Sequence, residues 1–355
     1  MPVIGWDLGG ANLKLARVEG GRVRQVAQIP CPIRQDRGKF EAALEEALKL
    51  CPGEARHAVT ITGELSDVFR DRAEGVAYLV ALMRRASGAD TLFYAGREGF
   101  LDADHAAKHT LDVASANWHA SATLVARTCS EGLFVDAGTT TTDIIPLKSG
   151  APASRGYTDA ERLAEGELIY AGVVRTPVMA IAREVPFKGR AQRIAAERFA
   201  TMADVWRLMD ELPHDADPYP TPDLRGKSTD ESAARLARML GRDAGDADLP
   251  DWVALASYLA DCQLADVETA AQALILREDL DAEAPVIGAG CGRFMAKRLA
   301  LRLGRPYCDF SDMINCDQEA REMAARTEGA SASARPDFGR TTRKMSSERS
   351  CDIGT

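Results

Sequence analysis

VIGWDLGGANLKLA, residues 3–16, places an aspartate, a glycine pair and a lysine inside what is otherwise an apolar β-hairpin. Val3 to Trp6 is an apolar run, Gly9-Gly10 supplies the turn, and Leu13, Leu15 and Ala16 resume on the return strand. That much is local structure and needs no chemistry. Asp7 is the exception. An acid that closes an apolar strand is costly to bury without a partner, and this one stands beside backbone N–H groups that glycine leaves uncovered. An acid beside a bare turn suits a metal-bound phosphate.

The pattern returns in LFVDAGTTTTDIIPL, residues 133–147: an apolar strand ending in Asp136, a turn at Gly138, a hydroxyl-rich stretch, and a return strand carrying Asp143. Two such hairpins, one heading each half of the chain, read as an internal duplication. They predict two related domains, residues 1–130 and 131–320, facing a shared cleft. A third glycine turn, VIGAGCGRF at 286–294, follows a short strand and opens a helix. It offers either a helix N-terminus to an anion or a close backbone approach to a nucleotide-like body.

Between these landmarks the first thirty residues read as a three-stranded meander, 39–50 as a helix, 57–62 as a strand, 66–88 as a long helix, and 105–129 as mostly helix. Strands alternating with helices predict an α/β sheet covered on both faces. Residues 159–200 read as helix broken at Thr176-Pro177 and at Pro186. Residues 211–232, rich in proline, aspartate and threonine, read as a long surface loop, either a linker or a flap over the cleft. The polar stretch 326–355 reads as a flexible tail.

The chain has 355 residues and a formal net charge of -9, which argues against a nucleic-acid-binding surface. No apolar run approaches the ~20 residues that span a bilayer, and no leader pattern opens the chain, so a cytoplasmic protein without a membrane partner is expected. Eight cysteines and five histidines are dispersed without a CxxC pair, which signals neither a zinc site nor a disulfide framework. Oligomeric state is left open.

The chemistry of the turns assigns candidate roles. Gly9, Gly10, Asn12 and Lys14 in the first hairpin, and Gly138, Thr139 and Thr140 in the second, present N–H groups, hydroxyls and one cation to phosphate oxygens. Asp7 and Asp136, from opposite domains, are placed to hold a hydrated Mg²⁺. Asp143 either joins the metal, orients the threonines, or is a solvated sheet-edge acid.

These three turns, in this order, resemble the superfamily of actin, the heat-shock ATPases and the sugar kinases. The likeness implies two ribonuclease H-like domains with an interdomain cleft. Within it the chain is most similar to the hydantoinase A and oxoprolinase-like group of tetrahydromethanopterin-linked one-carbon pathways. That likeness rests on IGWDLGGANLKLA, TGELSDVFRDRAEGV (62–76), SANWHASA (115–122), FVDAGTTTTDIIPL and VIGAGCGRF. Archaeal members of the group are methanofuran-biosynthesis synthases. The resemblance therefore implies an aryl-ether synthase of methanofuran or methylofuran formation, joining an aminomethylfuran-methyl diphosphate to the phenol of a tyrosine, tyramine or glutamyl-tyramine, with release of pyrophosphate.

On that reading Asp7, Lys14 and Asp136 serve the leaving group, and Gly288, Gly290 and Gly292 surround the rest of the electrophile. Glu64 is the candidate base for the phenol, although it equally suits shaping a helix start. His119 is the alternative base. Asn117 and Trp118 line the acceptor pocket, unless Trp118 is core, and Arg70 and Arg72 either meet acceptor carboxylates or form a solvated helix face. Two other readings fit the same turns: an ATP-dependent kinase or ATP-driven amidohydrolase, and a nucleotide-responsive scaffold without turnover. Paired acids beside a lysine and a threonine run favour turnover over a scaffold.

Overall fold

The central strands of the first sheet are buried almost end to end. The computed structural model describes residues 1–334 except 32, 34, 35 and 89. Strand β1 (Val3–Gly9) pairs antiparallel with β2 (Asn12–Glu19), Asp7 opposite Lys14, and β3 (Arg22–Pro30) completes the expected meander. After α1 (Arg37–Leu50), β4 (Arg56–Thr62) lies parallel to β1, with Asp7 level with Thr60. Helix α2 (Arg72–Ser87) leads to β5 (Thr91–Tyr94), parallel to β4, and to the short antiparallel β6 (Phe100–Leu101). The order is β3-β2-β1-β4-β5-β6. One face of β1 sends Ile4, Trp6 and Leu8 into a core shared with Phe40, Ala43, Leu44 and Ala47, the i, i+3, i+4, i+7 stripe of α1.

Residues 105–129 do not form one helix. Three short ones stand there: α3 (Ala103–Ala106), α4 (Thr110–Val113) and α5 (Asn117–Ala126). The break has a local cause. Ala114 bridges Ile61 in parallel, and Ser115 takes a left-handed φ of 52°, which a helix cannot accommodate.

The second sheet repeats the first. β7 (Gly132–Ala137) pairs antiparallel with β8 (Thr142–Lys148), Asp136 opposite Asp143, and β9 (Ala151–Pro152) adds to β8. After α6 (Asp159–Ala164), β10 (Leu168–Ile169) takes the place of a third meander strand. Residues 159–200 are thus not broken helix. Following α7 (Val178–Ile181) they contain a hairpin of β11 (Glu184–Phe187) and β12 (Arg190–Arg193). Its turn residues Lys188 and Gly189 have φ of 48° and 76°, the two positive values a tight hairpin needs.

Helices α8 (Met202–Leu208), α9 (Thr229–Met239) and α10 (Leu249–Arg277) follow. Then β13 (Val286–Ala289) runs parallel to β7, α11 (Arg293–Leu303) crosses over, and β14 (Tyr307–Asp309) runs parallel to β13. The order β10-β8-β7-β13-β14 matches that of the first sheet, so the chain is a duplicated pair of ribonuclease H-like α/β units. The loop at 211–232 is tied down: Arg207 reaches Asp217 at 2.9 Å, and the fully buried Arg235 reaches Asp223 at 3.2 Å and Asp204 at 2.7 Å.

The two compact units are residues 1–128 with 311 onward, and residues 129–310. From α12 (Phe310–Met313) the chain thus rejoins the first unit, through α13 (Arg321–Ala324) and α14 (Glu328–Ser333). The expected tail from residue 326 is corrected in its first part. Small residues let α14 pack closely on β1, where a Cβ on Gly5 would collide with the Ala330 carbonyl oxygen. The rest of that tail, 335–355, lies outside the described residues. Among the described residues no helix is long and apolar enough to cross a membrane.

His57 at the start of β4 accepts a hydrogen bond from Trp6 Nε1 at 2.9 Å through Nδ1, and burial lowers its pKa. The folded state therefore favours the neutral ring, so its contribution is complete above the ordinary histidine value of about 6.5 and is lost as pH falls through the lower folded value. His57→Gln keeps an acceptor for Trp6. It is expected to lose less Tm than the parent between about pH 7 and about pH 5 in a thermal melt. Equal losses would place the acid sensitivity elsewhere.

Candidate functional site

Alternate residues of a strand share a face, so Asp7 lies with Gly5 and Gly9 on the side of β1 that α14 covers. Asp7 is 3% exposed. Its carboxylate is compensated rather than isolated: Lys14 Nζ stands 3.5 Å from Oδ2, and Thr62 donates its hydroxyl to Oδ1 at 2.9 Å. Room beside the carboxylate is left by Gly329 of α14. A Cβ there would stand 3.6 Å from Asp7 Oδ2 and from Thr60 Oγ1, and 3.1 Å from the Asn117 Cβ. Asp7, Asn117 and Thr60 therefore gather around one glycine. Behind the turn, Cys31 donates to the Gly9 carbonyl at 3.7 Å, and burial followed by the Asp7 charge pushes its thiol up to about 12, leaving it protonated.

The loop after β4 packs backbone to backbone against the first hairpin. A Cβ on Gly63 would stand 3.0 Å from the Leu8 carbonyl oxygen, and one on Gly10 would stand 2.8 Å from Ser66 Oγ. This contact carries Glu64 to the same end of the sheet as Asp7. Glu64 is fully buried and accepts the Ser115 hydroxyl at 2.7 Å, from the residue held in the left-handed region. Backbone strain in a non-glycine residue that serves a buried carboxylate is the kind that concentrates at functional sites. From the other side, α2 presses Gly75 onto the Glu64 backbone so closely that a Cβ would collide with its carbonyl oxygen.

The other residues of this neighbourhood divide. Asn12 is buried at the head of β2, and Gly9 abuts the Asn12 carbonyl. His119, the alternative base, stands with Nδ1 2.8 Å from the Tyr94 hydroxyl, whose own pKa burial pushes up to about 12. Trp118 is corrected from acceptor pocket to core: it is 1% exposed, with its ring edge-on to His119 at 5.2 Å, and has no face to offer a substrate.

In the second unit Asp136 is 5% exposed at the end of β7. Gly290, with φ of 81°, folds against it, and a Cβ there would stand 2.5 Å from Asp136 Oδ1. Gly292 donates its N–H to the Ala137 carbonyl at 2.8 Å. Third turn and second hairpin are thus one assembly. Gly288 is corrected: the space its side chain would take is filled by Tyr307 and Ala296, so it makes room for packing rather than for a ligand. The Gly138–Thr140 turn is clasped from below, with the Val173 N–H bonded to the Gly138 carbonyl at 3.0 Å and the Arg175 N–H to the Thr139 carbonyl at 2.8 Å.

Asp143 is corrected as a metal ligand. It faces the like charge of Asp136 across the hairpin, and Arg162 of α6, 2% exposed, holds it in a buried ion pair. Among the described residues no three histidine, cysteine, aspartate or glutamate side chains gather as a metal cage. Asp7 and Asp136 each offer one buried carboxylate beside a glycine turn. Taken singly, each is the kind of oxygen donor Mg²⁺ accepts, since that ion takes one or two carboxylates and completes its shell with water and substrate phosphate.

Residues 56–309 match the hydantoinase/oxoprolinase family. The chain belongs to that family. A (4-{4-[2-(gamma-L-glutamylamino)ethyl]phenoxymethyl}furan-2-yl)methanamine synthase from Methanocaldococcus jannaschii is 32% identical over 243 residues, 68% of this chain and 72% of that protein. The protein of the same name from Methanococcus vannielii is 35% identical over 111 residues, 31% of this chain and 50% of that protein. Among solved structures, a ROK family glucokinase from Streptomyces griseus in complex with glucose and AMPPNP matches over 94% of this chain and 98% of its own, with 14% identity and a TM-score of 0.48.

Three residues of this family member escape a reading of the sequence. Arg175 donates to Thr140 Oγ1 at 3.3 Å and brings a cation to the second hairpin. Ser115 and Arg162 act through partners 51 and 19 residues away. Only the positive charge of Arg175 among the apolar residues of GVVRTPV signals anything locally. Removing Arg162 alone leaves a buried carboxylate facing Asp136. Arg162→Met is expected to cost about 3–5 kcal/mol in denaturant melts. Adding Asp143→Leu should restore most of that loss, and a double variant no more stable than the single one would refute the compensation.

Proposed function

We propose that this chain is an alkyl or aryl transferase of the methanofuran or methylofuran pathway. It would condense a furfuryl-type diphosphate with a phenolic acceptor to an aryl ether, releasing pyrophosphate. The observation that carries the reading is family membership together with 32% identity, over 72% of its length, to a synthase named for a phenoxymethyl-furan. The site supports it. A diphosphate leaving group requires N–H donors, hydroxyls and cations, and the two hairpins hold these beside buried acids.

In the proposed reaction the phenol oxygen bonds to the furfuryl methylene carbon, and the bond from that carbon to the diphosphate oxygen breaks with its electron pair. The phenol proton passes to Glu64, whose carboxylate is oriented by the Ser115 hydroxyl. The candidate diphosphate donors are Gly9, Gly10, Asn12 and Lys14 of the first hairpin and, taken separately, Gly138, Thr139, Thr140 and Arg175 at the second. Lys14 is held in place by Asp7. Asp7 in its unit, or Asp136 in its own, would be a ligand for Mg²⁺, which would neutralise charge on the departing diphosphate. The electron-rich furan ring spreads positive charge at the methylene carbon, so the protein's task is to stabilise the leaving group and exclude water. A cytoplasmic setting is part of the proposal.

The test is a product assay by mass spectrometry with purified protein, Mg²⁺, a furfuryl-type diphosphate and either tyramine or γ-glutamyl-tyramine, beside an incubation with ATP alone. Ether and pyrophosphate should appear together. Asp7→Ala should lower kcat by about 10²–10³. Glu64→Gln should lower kcat by at least about 10² with little change in KM. ATP consumption without ether would overturn the proposal in favour of a kinase or ATP-driven amidohydrolase.

A further inference from the structure

The connection from β4 to α2, residues 63–71, carries Glu64 yet forms neither strand nor helix. Two linked turns shape it, with the Ser66 N–H bonded to the Gly63 carbonyl at 3.2 Å and the Phe69 N–H to the Ser66 carbonyl at 3.0 Å. Its first half is held where Ser66 meets Gly10 and where Ser115 meets Glu64. Its second half is fastened from α1. Arg37, the first residue of that helix, donates through Nη2 to the Val68 carbonyl and to Glu74 Oε1, both at 2.7 Å. The same guanidinium lies 4.8 Å from the centre of the Phe69 ring and 5.1 Å from that of Tyr78. Glu74 returns the restraint to the loop by accepting the Arg70 N–H on Oε2 at 2.9 Å.

Stability alone does not explain so specific an arrangement. The Arg37 and Glu74 side chains are 40% and 32% exposed, and ion pairs that open to solvent contribute little to the folding equilibrium. Position is what the contacts define. One nitrogen serves a carbonyl and a carboxylate while the guanidinium meets two rings, so the loop is fixed in more than one direction. The point it fixes, Val68, is four residues from Glu64 and two from Ser66, whose Oγ would stand 2.8 Å from a Cβ on Gly10. A shift of the loop would therefore move the buried carboxylate relative to the first hairpin. Proton transfer depends steeply on such placement.

We propose that Arg37 is a positioning residue for the reaction: by clasping the loop at Val68 it holds the Glu64 carboxylate in register with the first hairpin. The inference rests on the proposed ether synthesis with Glu64 as its base. Lysine at this position keeps the charge but has no plane to lay between two rings, and methionine keeps the apolar stem while losing both hydrogen bonds.

A double-mutant cycle in kcat for ether formation tests it, with the parent, Arg37→Met, Glu64→Gln and the two combined. Arg37→Met should lower kcat about 10- to 100-fold and change KM for the furfuryl-type diphosphate by less than about twofold, with a smaller fall in kcat for Arg37→Lys. Arg84→Met, which removes an exposed pair with Asp104, should leave kcat unchanged. In the Glu64→Gln background the Arg37→Met change should lower kcat by less than about twofold, because the group it positions is gone. Hydrogen exchange at amides 64–70 should quicken in Arg37→Met while the protection of β1 and β4 holds. An unchanged kcat in Arg37→Met, or an equal fall in both backgrounds, overturns the proposal. If Arg37→Met does not fold, Arg37→Lys carries the same cycle. If the parent forms no ether, or Glu64→Gln keeps the parent's kcat, the proposed reaction or its base has failed. Exchange then decides the clasp by itself: faster exchange confined to 64–70 in Arg37→Met sustains it, and unchanged exchange overturns it.

Discussion

A carboxylate at the end of a central strand is the constraint around which the first unit is arranged. Asp7 cannot be buried as an isolated charge, and each neighbour that makes its burial possible also fixes an element. Lys14 must stand opposite, which sets the register of β2; Thr62 must donate, which sets where β4 ends; and the covering helix must present glycine at 329. A one-residue slip of β1 against β2 would bury Asp7 among apolar side chains and turn Trp6 outward. The hairpin that holds the cation is thus the same hairpin that specifies the sheet, and structure and chemistry impose one requirement on these residues.

The duplicated unit solves the same problem with the charges exchanged. Where β2 sets Lys14 opposite Asp7, β8 sets Asp143 opposite Asp136, and the missing cation comes from Arg162 on α6. The first arrangement leaves a lysine that is 20% exposed and able to meet an anion; the second closes its arginine away at 2%. Equivalent backbone therefore yields inequivalent chemistry. In the second hairpin the half-buried cation is Arg175, from the segment that clasps the threonine turn.

Both hairpins and their duplication are legible in the sequence because strand alternation, glycine turns and acid placement are local signals with short periods. The opposition of Asp7 to Lys14 follows from counting across a tight turn. What is hidden depends on contacts distant in sequence. Nothing in NWHASA distinguishes a pocket tryptophan from a core one, because that depends on which elements cover α5. Ser115 reaches Glu64 only because Ala114 bridges β4. The small polar residues of α14 resemble those of a tail, yet their smallness is what lets the helix lie against Gly5. Low hydrophobicity is a poor guide where close backbone approach, rather than apolar area, does the packing.

The proposed grip on a diphosphate is compatible with more than one displacement, and the hairpins alone do not choose among them. In phosphoryl transfer the nucleophile attacks phosphorus and the grip serves the group being moved; in ether synthesis it attacks carbon and the same grip serves the group being expelled. Donors at the diphosphate oxygens stabilise developing charge in either case. The choice must therefore be made by the groups that position the acceptor, which decide whether its oxygen meets phosphorus or the neighbouring carbon. Under the proposed reaction such a group would be Glu64, off the hairpins, on the loop against which α2 packs. That choice would then fall to the segment from Thr62 to Val76, which carries Glu64 and packs against the first hairpin.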